Sequence, residues 1–280
     1  MKAQSSFHAD SDFFALYESL KKEGKWREII RNGVAALETK KLNNEQASLV
    51  NCRMASCYFY LGDHEAALKA ATHASEQAQL AGHHGLIARS LYLISAAYRA
   101  LAQKGTNPAH SQLALENIDI AILTLGNHDV GKSIQAKVYY NAGALHHDVF
   151  NNIENADTYY KMAMALFEKG SDDFNRTMLR HIRCLIELNK LAEAEIEATK
   201  LDIPLDTKTG VHFMIMMAKL NMKGKKYPEA RHFLENAKKV AEEKSMGQEV
   251  QMLTDLSEAI KAEITVDQEV LMVKASHLEL

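Results

Sequence analysis

The chain has 280 residues, 47% hydrophobic and 25% charged, with 33 Lys and Arg set against 36 Asp and Glu. A net charge of −3 argues against a general polyanion-binding surface. No apolar run approaches the roughly 18–20 residues that cross a bilayer; Phe213–Ala218 stops at Lys219.

Only three Pro occur, and three cysteines, Cys52, Cys57 and Cys184, cannot all pair. The composition predicts a reduced, soluble, helical protein of the cytoplasm. In chain order, a short tail over 1–10 lacks the apolar stretch of a secretory signal. A helical array is expected over 11–246, with glycines falling in the gaps near Gly24, Gly62, Gly82, Gly105, Gly126, Gly170, Gly210 and Gly224. Gly33 and Gly143 instead sit inside helix-length patterns. Between the gaps, small and apolar residues recur at steps of three and four, the helical period, and predict about fourteen helices. Gln248–Ile264 is amphipathic and suits a capping helix over 247–264. The remainder, 265–280, reads as a tail or a short helix.

A finer period runs through the second helix of each pair. Ala67, Ala71 and Ala74 are offset by four and three, as are Ala114, Ile118 and Ala121. The same offsets give Ala156, Tyr160, Ala163, then Ala194, Ala198, Leu201, then Ala230, Leu234, Ala237, with a degenerate copy from Ile29. Small side chains on one stripe let two helices approach closely, and larger ones fill the next layer.

These residues resemble the tetratricopeptide repeat family, whose pattern places a small residue and an aromatic three apart in the first helix, a Gly turn, then A-x3-F-x2-A. The second copy carries Met54-Ala55-x2-Tyr58, Gly62-Asp63 and Ala67–Ala74; the third has Ile94-Ser95-x2-Tyr98 and an enlarged turn around Gly105–Pro108. The fourth offers Gly143-Ala144-x2-His147, and the first Leu16-Tyr17-x2-Leu20 with Trp26. The resemblance implies an all-α, right-handed α-solenoid of about six helix pairs plus a C-terminal cap. It implies a non-catalytic adaptor or scaffold that holds a peptide or helix of a partner in a concave, peptide-binding groove lined by the first helices. A second reading is a peptide-sensing regulator that changes conformation on binding.

Arg176, Arg180 and Arg183 fall at steps of four and three, with no acid between Phe174 and Ile186. Guanidinium groups grip carboxylates in bidentate fashion, so this stripe is expected to hold an acidic segment. Arg53, Tyr60, Tyr92, Arg99, Asn141, His212 and Lys219 are expected on the same groove. Tyr92 and Ala96 stand where the family's carboxylate-clamp subset has Lys and Asn, and Asn141 is one place off.

Gly126–Ser133 fits the phosphate-loop pattern G-x4-G-K-S, in which Lys132 would reach phosphates and Ser133 magnesium. Ile118–Leu125 is apolar enough to pass for the required strand, yet it continues the helical repeat, so nucleotide hydrolysis ranks last among the readings. His83-His84 and His146-His147 are adjacent pairs, whereas helical metal ligands need spacings of three or four. No nucleophile–base–acid set assembles, and no cofactor, metal, nucleic acid or membrane partner is expected.

Overall fold

The computed structural model describes the backbone of residues 9–105 and 107–278; most of the expected N-terminal tail and Thr106 of the enlarged turn lie outside it. The described residues form thirteen helices and no strand, in two compact units divided after Phe167. No described helix is long and apolar enough to cross a membrane.

Unit 1 contains four helix pairs: α1 (Ala9–Lys22) with α2 (Trp26–Glu38), α3 (Asn44–Tyr60) with α4 (His64–Ala81), α5 (His84–Gln103) with α6 (Ala109–Asn127), and α7 (Lys132–Asp148) with α8 (Ile153–Met164). Polar side chains start several of these helices by satisfying free backbone amides. Asn43 and Gln46 close a reciprocal capping box on α3, Asp63 accepts from Ala66 N–H on α4, and Asn152 accepts from Asn155 N–H on α8. The small-residue stripes turn inward: Ala67, Ala71 and Ala74, then Ala114, Ile118 and Ala121, then Ala156, Tyr160 and Ala163 are all buried. Ile29, Gly33 and Ala36 make the degenerate first copy on α2. Gly143 explains itself by close approach, since a Cβ there would lie 2.8 Å from the Tyr160 ring and 3.1 Å from the Ala156 carbonyl oxygen. Ser95 Oγ donates to the Ala114 carbonyl at 2.8 Å and ties α5 to α6 in the buried seam.

The first helices α3, α5 and α7 touch in succession, whereas no comparable contact joins α2, α4, α6 and α8 among the described residues. A row of helices drawn together on one side curves towards that side, so the first helices form the inner wall of unit 1.

Unit 2 pairs α9 (Asp172–Glu187) with α10 (Leu191–Ala198) and α11 (Lys208–Lys223) with α12 (Tyr227–Glu243), closed by α13 (Gly247–Leu278). Here too α9, α11 and α13 touch in order. Ser171 caps α9 and Thr207 caps α11. Helix α10 has only eight residues, so Leu201 of the expected Ala194–Ala198–Leu201 stripe falls in the connection beyond it. Leu253 and Ile260 of α13 are buried against Val211, Met214, Ala218, Leu234 and Ala237, as a cap requires. The helix runs on to Leu278, so the cap and most of 265–280 are one element; this removes one helix from the expected fourteen.

Candidate functional site

Of the ten expected contact residues, five stand on unit 1 and five on unit 2. On unit 2, Ser171 and the acidic first turn of α9 set the helix in register, and the steps of four and three carry Arg176, Arg180 and Arg183 along one stripe. The expected absence of countercharge is only partly met. Asp173, just outside the acid-free stretch, accepts from Arg176, and Glu187, just beyond its other end, accepts from Arg183 Nε at 2.8 Å. Both arginines remain nearly half exposed, at 47%. Solvated pairs of this kind contribute about 0.2–1 kcal/mol, so an incoming carboxylate competes with them at small cost. Arg180 is half-buried and also engaged within the fold.

Helix α11 extends the surface. Lys219 has its ammonium pushed below the ordinary range, first by burial and then by the Arg183 guanidinium, against the opposing pull of Glu187. Two cations from neighbouring first helices are thereby brought close. His212 lies 3.2 Å from the Glu249 carboxylate, which also accepts from Lys208 at 2.8 Å. That cluster fastens α11 to α13. Burial works against the Glu249 carboxylate, but Lys208, a backbone N–H and His212 outweigh it and hold its pKa down.

On unit 1 the expected residues are engaged in different ways. Tyr92 is buried in the α5–α6–α7 core, its hydroxyl bonded to Arg89. Arg99 is 9% exposed and ion-paired with Asp148, whose second oxygen lies 3.1 Å from His147 Nδ1; this buried group locks α5 to the end of α7. Asn141 donates to the Lys137 carbonyl one turn back, at 2.8 Å. Tyr60 is exposed, with its ring stacked on Trp26 of α2 at 4.5 Å. Arg53 sits over the aromatic rings of α1, 4.1 Å from the Tyr17 centroid and 4.9 Å from that of Phe14. Arg89 escaped the sequence reading, although it shares the stripe of Tyr92 and Arg99 on α5. That shared spacing was the available signal.

Gly126 and Asn127 are the last residues of α6, and Ile118–Leu125 is helical, so no strand precedes the phosphate-loop pattern. Lys132 and Ser133 open α7 behind Gly131, whose φ of 81° turns the chain between two helices. The segment is a helix–helix connection. His83 caps α5 and His84 stacks on His128 with centroids 3.4 Å apart. Among the described residues no group of His, Cys, Asp and Glu is placed to hold a metal. None of the three cysteines forms a disulfide, and all three are buried. Burial pushes the Cys52 and Cys57 thiols up to about 11, which leaves them protonated and unreactive at neutral pH.

No family model matches the chain, and no curated protein matches it. Solved structures do. A Rap protein complexed with Competence and Sporulation Factor is 12% identical with a TM-score of 0.62, over 94% of this chain and 78% of that one. The apo form of RapI is 11% identical with a TM-score of 0.59, over 91% and 98%. PilF of Pseudomonas aeruginosa is 12% identical with a TM-score of 0.55, over 88% and 97%. At such identities the likeness is one of fold. The chain has the all-α fold of tetratricopeptide-repeat proteins, the class to which these neighbours belong.

Proposed function

We propose that the protein is a non-catalytic adaptor that binds a peptide or helix of a partner protein along its first helices, with Arg176, Arg180, Arg183 and Lys219 receiving an acidic segment. The observation that carries this reading is the basic patch of α9 and α11. It gathers four cations from two adjacent first helices of unit 2, with Asp173 paired to Arg176 and Glu187 to Arg183 at its edges. Preformed helical surfaces take extended or helical peptides in this manner, and opposed potentials set register and speed encounter. Buried cysteines without disulfides suit a reducing compartment such as the cytoplasm. Nothing in the connection at 126–133 supports nucleotide chemistry.

The test is a titration with the partner recovered by affinity capture. Arg180→Glu weakens binding about tenfold at low salt, the scale of one lost charge-assisted contact, and leaves helical content unchanged. An unaltered affinity removes the basic patch from the account.

A second reading, a peptide-sensing regulator, is favoured by the fold shared with a Rap protein that was crystallised with Competence and Sporulation Factor. It predicts compaction in small-angle scattering when the captured peptide is added. An unchanged scattering profile at saturation rejects it.

A further inference from the structure

Where α2, α3 and α4 meet, unit 1 has a solvent-open cavity of about 350 Å³, lined by Arg27, Ile30, Tyr58, Leu61 and Asp63. That volume sits at the small end of ligand pockets, which run from about 300 to 1,000 Å³. Arg27 and Ile30 are three apart at the start of α2 and share a face, while Ile29 between them is fully buried in the core. Tyr58 and Leu61 are likewise three apart, at the end and the C-cap of α3. Ile30 and Tyr58 pack partly buried against the core of unit 1, so the cavity has an apolar floor. Leu61 keeps 41% of its surface exposed there.

The corner is held in shape by its turn. Gly62, with φ of 76°, reverses the chain between α3 and α4. Asp63 N–H then donates to the Tyr58 carbonyl at 3.0 Å, and Asp63 Oδ1 accepts from Ala66 N–H at 3.0 Å. Trp26 and Tyr60, each the chain neighbour of a lining residue, stack on one another and tie the start of α2 to the end of α3.

Charge selects the occupant. Arg27 has no ion-pair partner among the described residues, and it does not pair with Asp63 although both line the cavity. An anion drawn to Arg27 is repelled by Asp63, and a cation drawn to Asp63 is repelled by Arg27. A small ligand bearing both charges satisfies both walls. We propose that this cavity binds a free α-amino acid with an aliphatic side chain. The Arg27 fork takes the carboxylate, and Asp63 accepts from the ammonium through Oδ2, the oxygen its capping bond leaves over. The side chain leaves water for Ile30, Tyr58 and Leu61. None of these residues belongs to the α9–α11 patch.

The test titrates the full chain with L-leucine, read by calorimetry and by the fluorescence of Trp26, the single tryptophan. Leucine is expected to bind saturably and to change the emission. N-acetyl-L-leucine, which lacks the ammonium, L-leucinamide, which lacks the carboxylate, and glycine, which lacks the side chain, should each bind at least about tenfold more weakly. Arg27→Gln should weaken leucine about tenfold and leave leucinamide unaffected. Asp63→Asn keeps an equally good helix cap, so it should weaken leucine with the melting temperature intact and leave N-acetyl-L-leucine unaffected. Charge reversal of Arg176, Arg180 and Arg183 should leave leucine binding unchanged. Absence of saturable leucine binding, or unchanged affinity in Arg27→Gln, overturns the site. Leucinamide binding as tightly as leucine, or N-acetyl-L-leucine doing so, overturns the assignment to a free amino acid in favour of a peptide amino or carboxyl terminus respectively.

Discussion

Gly143 shows how one missing methyl sets the spacing of two helices. Replacing it with alanine gains about 1 kcal/mol of helix propensity. It also drives a Cβ to 2.8 Å from Tyr160, a fully buried ring with the Ala156 backbone behind it. Overpacking of that kind costs about 1–3 kcal/mol, so the clash wins. Gly143→Ala is expected to lower the urea midpoint with an unchanged m-value; a raised midpoint would show that α7 and α8 can part freely. The Arg99–Asp148 pair behaves differently. Both side chains are about nine-tenths buried, and removing one charge strands the other, at about 3–5 kcal/mol. Asp148→Ala should therefore destabilise strongly, while the double change Arg99→Met with Asp148→Leu recovers much of the loss. If the double variant is as unstable as the single, charge stranding is not the cause.

Glu249 gives a pH signature at the same scale. Its folded pKa lies below the ordinary value of 4.5, so the native state favours the ionised form. The resulting stability is fully present above about pH 5 and is lost as the pH falls through the depressed folded value. Glu249→Gln should melt lower than the parent at pH 7 and converge with it in acid. A constant gap across that range would mean that the carboxylate does not titrate as described. Of these residue-scale features, Gly143 was legible, because a glycine inside a helical pattern marks close approach. The Arg99–Asp148 pair was not: its members are 49 residues apart, and nothing in their own neighbourhoods names the partner.

Among the elements, the second helices were the most readable, since alanine at steps of four and three leaves no other face to bury. Their ends were less so. Helix α10 stops at Ala198 although the stripe continues to Leu201, because the chain turns there towards Pro204. Pro204 has no N–H to extend a helix. Its carbonyl instead accepts from Thr207 Oγ1, which caps α11. Helix α13 fails the other way, running through a segment too irregular in pattern to assign. The capping box of α3 offers a direct test. Asn43→Ala leaves the Gln46 amide and its reciprocal bond unmet and is expected to cost about 1 kcal/mol, read from chemical denaturation. No loss would mean that water replaces the cap without penalty.

For the molecule as a whole, a chain of net charge −3 still carries a local basic group on the first helices α9 and α11. The stripe of α9 was visible in the sequence, because one helix supplies all three arginines. Its neutralising acids were overlooked by a single position at each end, at Asp173 and Glu187. The shared fold of proteins only 11–12% identical to this one reflects packing stripes that many sequences satisfy. What each protein binds is set by the side chains displayed on that frame.

Cross-linking of the captured partner to the full chain, mapped by mass spectrometry, bears most directly on this. The account predicts cross-links clustered on α9 and α11, and their loss when Arg176, Arg180 and Arg183 are reversed in charge. Cross-links confined to the outward faces of α4, α6, α10 or α12, unaffected by the reversal, would contradict it.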